Sequence, residues 1–488
     1  MSTSDPSHLD LQATAKSIME QYGFHPDFPP EVPQQLADLK SHPPAITPGK
    51  DVRDLRQLLW SSIDNDTSRD LDQIEVAEPA SNGSVKVMIG IADVDAFVAK
   101  QTAIDQYAAS ETTTIYAGVR NFPMLPEELS TGQSSLLENQ DRLSIVIEFM
   151  VDSGGSVSSA DIYRAVVRNR AQLQYDSVGA WLEGKSAPPP KISASSDLQA
   201  QLKLQDQVAQ KLKAQRFQHG ALSLQTDELQ PLLLNEQVVD VMQQQKNRAT
   251  DLIEDFMVAA NGVVARQLEK VSSLRRIVRT PKRWDRIVQL AATKGEKLPA
   301  PPDSKALNDF LLRRKAADPD HFADLSLAVI KLIGPGEYVL ERPGDVAAGH
   351  FGLAVQDYTH STAPNRRFAD VVSQRVLKAM LAGQKSPYSD DELTTIAANC
   401  TEKEDAARKV ERAMSKRMAA VAMQKKIGQL FDAIVTGATD HGTFVRISQP
   451  NIEGLLTEGE QGLDVGDRLR VKLIRTDAQK GYIDFARA

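Results

Sequence analysis

The chain changes character sharply near residue 430, and that change limits its architecture more than any other feature. From Asp390 to Leu430 it is a charged, alanine-rich run, including EKEDAARKVERAMSKRMAAVAMQKK, whose opposite charges are spaced to pair along a solvated helix face. From Phe431 to Ala488 it becomes short alternating stretches broken by glycine turns, the texture of a small barrel. A spacer or outer helix thus divides a large N-terminal body from a separate all-β domain. The length of 488 residues agrees, because it exceeds one ordinary core and suggests roughly two to four domains.

Ahead of the divide the texture is α+β. A helical stretch at Leu11 to Tyr22 and a proline-punctuated tail at His25 to Pro48 read as a lead-in, too short for a further barrel. Val52 to Trp60 reads as helix-like, and VKVMIGIADV (Val85 to Val94) reads as a strand that follows an Asn82-Gly83 turn. Apolar strands such as Leu143 to Asp152 then mix with long helical patterns such as Ala249 to Lys270. Proline- and serine-rich stretches at Glu183 to Asp197 and Gly295 to Lys305 read as exposed loops.

Composition removes several classes of function. No run of about 18 apolar residues offers a membrane span, and MSTSDPSHLD has neither the basic start nor the apolar core of a secretory signal. A single cysteine, Cys400, excludes an internal disulfide and a cysteine-rich zinc site, and it fits a reducing cytoplasm. The net charge of −8 argues against nonspecific coating of nucleic acid but leaves room for a narrow basic channel.

The chemistry concentrates in SSIDNDTSRDLDQIE, where Asp64, Asp66, Asp70, Asp72 and Glu75 crowd together. Clustered carboxylates repel unless something cationic holds them, so a divalent ion is the economical explanation; a solvated acidic loop is the plainer one. Asp70 and Asp72 leave an extended segment on one face, and Asp64 can fold back over them, so that three carboxylates could share one ion. A calcium-binding EF-hand loop is a sharper rival, since oxygen-bearing side chains fall at its positions one, three, five, seven, nine and twelve, from Asp64 to Glu75. It fails where the sharp turn needs glycine and finds Arg69, and where the exiting helix would meet Pro79 and Asn82-Gly83.

With its flanks, the loop resembles the catalytic signature of the ribonuclease II and ribonuclease R family. The carrying residues are Ile63-Asp64, Asp70-Leu71-Asp72-Gln73 and Ile91-Ala92-Asp93-Val94, followed in the same order by NFPMLPEELS (Asn121 to Ser130), HGAL (His219 to Leu222), IEDFMVAAN (Ile253 to Asn261) and GHFGLAVQDYTHSTAPNRRFAD (Gly349 to Asp370). The resemblance implies a 3′ to 5′ exoribonuclease that hydrolyses single-stranded RNA processively to nucleoside 5′-monophosphates, with one or two Mg2+ ions replaceable by Mn2+. Asp64, Asp70 and Asp72 match three of the family's four metal-binding aspartates, and Gln73 stands at the fourth, where an amide can ligate but brings no charge. Asp72 corresponds to the essential position, and Arg366 to the arginine that stabilises charge at the scissile phosphate.

The same resemblance gives Tyr116 as the aromatic that stacks on the 3′-terminal base, Tyr175 as a second tyrosine on the RNA path, and Glu254 or Asp255 as an acidic ribose contact. Arg367 falls to the RNA backbone or the fold. The family's second stacking aromatic is missing, with Leu224 in its place, so the final product length is expected to differ. The C-terminal segment Ala433 to Ala488 resembles an S1 RNA-binding domain of the OB type, carried by Gly437, GTFV at Gly442 to Val445, EGLL at Glu453 to Leu456 and VGD at Val465 to Asp467. His441, Phe444, Arg446, Arg470 and Lys472 are its candidates for stacking and backbone contacts.

The organisation expected is therefore a helical and proline-rich segment (1–50), an α+β RNB-type catalytic domain (51–385), a charged helical connector (386–430) and an all-β OB-fold barrel (431–488). The expected protein is a cytoplasmic monomer that acts on single-stranded RNA away from membranes. Two readings stand against it: an RNA-binding protein left catalytically weak or silent by Gln73, and a calcium-binding module with an incidental barrel.

Overall fold

The computed structural model describes residues 9–80, 82–225, 228–234, 237–244, 246–439, 442–448 and 450–488. Helix α1 (Leu11–Gln21) starts at Asp10, whose carboxylate accepts the Ala13 amide at 2.9 Å, and α2 (Glu31–Ser41) follows. Neither builds a core of its own. Val32 and Leu36 of α2 enter the main core, while Ala15, Ile18 and Met19 of α1 join the apolar cluster that runs into the C-terminal barrel.

The main core surrounds one mixed sheet. Its strands are β1 (Val52–Asp54), β2 (Ser61–Asp64), β3 (Gln73–Pro79) and β4 (Val85–Ala92); helix α3 (Ala103–Glu111) and the small hairpin β5 (Ile115–Tyr116) and β6 (Asn121–Phe122) intervene before β7 (Asp141–Val151), β8 (Val157–Arg168) and β9 (Ala171–Gln174). The spatial order is β1-β8-β7-β4-β3-β2-β9, parallel at the β1/β8 and β2/β9 edges and antiparallel between. Strands β3 and β4 are buried on both faces, which explains the nearly unbroken apolar run of β4, while β3 carries Gln73 and Glu75 into the interior. The helix expected over Val52 to Trp60 is not formed. Val52, Arg53 and Asp54 instead pair with Arg164, Ala165 and Val166, and Trp60 is fully buried, so strand pairing and burial outweigh local helical preference.

Helices then wrap the sheet: α4 (Tyr175–Leu182), α5 (Pro190–Ser193) and α6 (Ser196–Gln218). After the hairpin β10 (Glu228–Leu234) and β11 (Gln237–Gln244) comes α7 (Arg248–Gln267), opened by a capping box between Asn247 and Thr250. Helix α6 is locked to β3 because the Gln201 side-chain oxygen accepts the Ala77 amide at 2.9 Å. The stretch 183–197 is mostly exposed, as expected of a loop, with the short helix α5 inside it and Ile192 buried. Strand β12 (Ser273–Ile277) pairs with β13 (Glu337–Glu341); between them α8 (Trp284–Thr293), α9 (Ser304–Ala317) and α10 (Phe322–Ile333) close a small separate core around Trp284, Phe310 and Phe322. Leu224 leans on that small core.

Two further helices complete the body, α11 (Phe368–Leu381) and α12 (Asp390–Gln424), the second started by a capping box in which Ser389 and Glu392 exchange hydrogen bonds. The expectation of an outer spacer fails for α12. Its first half sends Leu393, Ala397 and Cys400 into the main core, and its second half sends Val410, Met414, Met418 and Met423 into the cluster shared with the barrel. The helix joins two cores because alanine and methionine occupy its inner side while the paired charges lie outside.

The barrel closes in the order β14-β15-β16-β18-β17, from β14 (Leu430–Thr439), β15 (Gly442–Ser448), β16 (Asn451–Glu458), β17 (Arg468–Asp477) and β18 (Tyr482–Arg487). Val435, Val445, Val471, Leu473 and Phe485 fill it. Arg446 faces α10 and pairs with both carboxylate oxygens of Asp324, which fastens the barrel to the small helical core. Arg446, a candidate RNA contact, thus also joins the barrel to α10.

Candidate active site

Asp64 ends β2, Asp70 and Asp72 lie in the connection to β3, and Gln73 is the first residue of β3. This connection is fixed by hydrogen bonds to a segment more than 60 residues away. The Leu71 amide donates to Ser135 Oγ at 2.9 Å, Ser135 Oγ donates to the Arg69 carbonyl at 2.6 Å, and the Leu136 amide donates to the Leu71 carbonyl at 3.0 Å. The Ala92 amide also donates to the Asp72 carbonyl at 2.9 Å, which ties the loop to β4. Crowded carboxylates are held here by the backbone.

The segment before α11 then brings a positive charge, Arg366, to the loop. Asp72 is 3 % exposed; its Oδ1 accepts the Asn365 amide at 2.9 Å, and its Oδ2 lies 3.7 Å from Arg366 Nε. Ser134 Oγ donates to Asn365 Oδ1 at 2.6 Å, so the turn that presents Arg366 is held from both sides. The Arg366 carbonyl accepts the Thr114 amide at 3.0 Å, which brings β5 alongside. From β5, Tyr116 donates its hydroxyl to Asp70 Oδ2 at 3.3 Å, while its amide donates to Glu411 on α12 at 3.1 Å. Tyr116 keeps 39 % of its surface exposed, leaving an aromatic face open beside the carboxylates.

The electrostatics are those of anions removed from water without enough compensation. Burial pushes the Asp64 carboxyl up to about 7; Arg366 opposes the shift, and the charge of Asp70 adds to it. Asp72 is raised well above the usual carboxylate range for the same reasons in the same order. The Gln73 amide donates to Asp64 Oδ2 at 3.2 Å, a neutral partner where a fourth anion was the alternative. Beyond it, Glu75 is fully buried, and neither of its carboxylate oxygens has a hydrogen-bond partner.

Among the described residues, no group of three or more His, Cys, Asp or Glu side chains encloses an ion outright, so the expected sharing of one ion by three carboxylates is not preformed. The donor set still suits a hard divalent cation. Magnesium characteristically takes one or two carboxylates and leaves its remaining positions to water and phosphate, and the side chains gathered here offer oxygen donors only. Asp64, Asp70, Asp72 and the Gln73 amide oxygen are the groups that would hold it.

The outlying candidates divide. Tyr175 begins α4 close enough to Asp64 and Glu75 that burial and then their charges push its hydroxyl up. Glu254 on α7 is partly exposed and pairs with Lys246 at 2.7 Å, whereas Asp255 is buried against Arg216. Arg367 makes a two-pronged pair with Asp370 at 2.8 and 2.9 Å, which ties it into the fold at the start of α11. On the barrel, Phe444 is partly buried, Lys472 is exposed, and Arg470 is exposed and 3.7 Å from Asp432. His441 lies outside the described residues. Sequence reading missed Asn365, which acts through its backbone amide and so leaves no side-chain signal, and Glu411, which sits far away in a helix read as a spacer.

Comparison with known proteins places the fold. Residues 52–383 match the RNB domain, and residues 429–488 match the RNase II-type exonuclease C-terminal S1 domain. Ribonuclease R of Thermotoga maritima is 28% identical over 498 residues, covering 94% of this chain and 68% of the relative; ribonuclease R of Escherichia coli is 28% identical over 500 residues, covering 94% and 60%. The chain thus spans roughly three fifths to two thirds of the length of these relatives. Among solved structures, Mycoplasma genitalium RNase R in complex with ribose-methylated single-stranded RNA superposes with a TM-score of 0.86 at 23% identity, over 98% of this chain and 78% of that one. Yeast Ssd1, a pseudonuclease, superposes with a TM-score of 0.74 at 18% identity, over 96% and 58%. With two thirds of its length matching the RNB domain and its barrel matching the companion S1 domain, the chain belongs to the ribonuclease II and R family of RNB-domain exoribonucleases.

Proposed function

We propose that the chain hydrolyses single-stranded RNA from its 3′ end, processively and with Mg2+ or Mn2+, releasing nucleoside 5′-monophosphates in a reducing cytoplasm. The observation that carries this reading is Asp72, a buried carboxylate aimed by the Asn365 amide and set beside Arg366 at the mouth of the aspartate loop. Family membership alone would not suffice, since the fold also occurs in a pseudonuclease.

The protein's own groups divide the work. Asp64, Asp70 and Asp72 concentrate negative charge where a divalent ion and a phosphate must meet. A divalent ion held by these carboxylates and the Gln73 amide oxygen would supply polarisation of water and neutralisation of phosphate charge. Arg366, exposed on its outer side and anchored toward Asp72, stabilises charge growing on the phosphate oxygens. Tyr116 offers its open face to the terminal base, where stacking contributes about 1 to 3 kcal/mol without regard to base identity. Glu254 provides a partly exposed acceptor for a ribose 2′-hydroxyl, which separates RNA from DNA.

The test is a 5′-labelled single-stranded RNA incubated with purified protein and Mg2+, beside a duplex carrying a 3′ overhang. Stepwise shortening from the 3′ end is expected, and Asp72→Asn should stop it while RNA binding persists. A second reading, an RNA-binding protein without turnover, is favoured by Gln73 at the fourth acidic position. Wild-type binding with no shortening would establish that reading instead.

A further inference from the structure

A carboxylate with no partner in a protein interior is expensive to retain, and aliphatic side chains fill the same strand at Ile74, Val76 and Ala77. Glu75 is such a group, 0 % exposed with both oxygens unpartnered. Its direction follows from register. Positions two apart on β3 leave on the same face, so Glu75 emerges beside Gln73, whose amide reaches Asp64 at 3.2 Å. Directly across on β2 stands Ser61, whose hydroxyl is also buried and unpartnered. Tyr175 senses the charges of both Asp64 and Glu75, which places the two carboxylates in one neighbourhood.

Asp64, Gln73, Glu75 and Ser61 therefore line a dry, oxygen-rich flank of the aspartate loop. We infer that Glu75 is a ligand of the site's divalent cation and supplies, two residues further along the same strand face, the negative charge that Gln73 lacks. The inference rests on the hydrolytic reading given above. It makes the glutamine at the fourth position an exchange of roles between neighbours, not a loss of the second ion's anchor.

Binding of Mn2+ to the full chain, followed by electron paramagnetic resonance, gives a readout independent of turnover. Glu75→Gln should weaken Mn2+ binding about tenfold or more, or remove one bound ion, and Gln73→Asp added to that variant should restore it. Glu75→Leu provides a second route if the glutamine variant folds poorly. It should melt above wild type in the presence of EDTA, because the orphaned carboxylate is gone, yet bind Mn2+ more weakly. Mn2+ titrations of Glu75→Gln or Glu75→Leu that overlay wild type, while Asp72→Asn weakens binding, would overturn the role of Glu75 and leave the hydrolytic reading standing. Absence of Mn2+ binding by wild type and Asp72→Asn alike would overturn both. Failure of Gln73→Asp to rescue would overturn the exchange of roles.

Discussion

The sheet site and the barrel both gather charged residues, but they do so under opposite solvent conditions. At the sheet site Asp72 is buried, held by the Asn365 amide and faced by Arg366, with Asp64 and Asp70 half-buried beside it. On the barrel, Arg470 and Lys472 stand in water, where the field of each is screened within about 8 to 10 Å. A buried, undercompensated charge demands a function or a partner, whereas an exposed charge demands neither. Loss of a sheet-site carboxylate should therefore act on turnover and metal binding in large steps, and loss of a barrel charge should act on affinity in small, salt-dependent ones.

The sharpest way to break this contrast is at Asp72. Asp72→Asn keeps the shape and the Asn365 contact but removes the charge, so the rate of RNA shortening should fall by about a thousandfold or more, with RNA affinity within a few-fold of wild type. Equal losses in rate and affinity would mean that Asp72 holds the fold and not the reaction. Arg366→Lys should also lose rate, by about a hundredfold, because an ammonium cannot reproduce the planar fork beside the phosphate. That comparison is read in single-turnover assays at saturating protein.

The second effect is on stability and has a definite sign. Asp64 has an ordinary value of 3.8 and is raised to about 7 when folded, so the metal-free chain binds this proton more tightly folded than unfolded. The stabilisation is complete below about pH 4 and is lost as pH rises toward 7; three pKa units bound it at about 4 kcal/mol. Asp72, raised for the same reason, adds to the trend. Melting in EDTA should therefore fall as pH rises through this window, and Mg2+ should flatten the fall by neutralising the ionised carboxylates. A melting temperature that rises with pH in EDTA would contradict the undercompensated site.

How much could be read beforehand also follows from burial. Asp64, Asp70 and Asp72 stood out because clustered like charges are conspicuous in any chain, and Gln73 only because the family resemblance implies an acid at its position. The barrel was legible from alternation and glycine turns. Glu75 was visible as a member of the acidic cluster and as the twelfth position of a failed calcium loop, but not as a buried group, since that depends on the sheet being covered on both faces. The pairing of Arg446 was not legible because its partner, Asp324, lies 122 positions earlier, and no local pattern announces an ion pair of that span. Helix α12 was taken for a spacer because paired surface charges dominate its composition, while the alanines and methionines that join two cores are individually unremarked.

Within the barrel, the two kinds of arginine provide the smaller tests. Arg446→Met removes the clamp on Asp324 but leaves a partly exposed carboxylate, so it should cost about 1 to 2 kcal/mol in thermal stability and change RNA cleavage little. Asp324→Asn should cost a similar amount, and the double variant should cost less than the sum of the two, as expected of residues in direct contact. Arg470→Ala and Lys472→Ala should leave melting unchanged, because both side chains are exposed on β17. If they meet RNA phosphates, each substitution should lower the slope of log affinity against log salt by about 0.7, the value for single strands, and leave the single-turnover rate intact. An unchanged slope in both would remove this stripe of the barrel from the RNA path and confine recognition to the sheet site, where Tyr116 and Arg366 would then have to carry it.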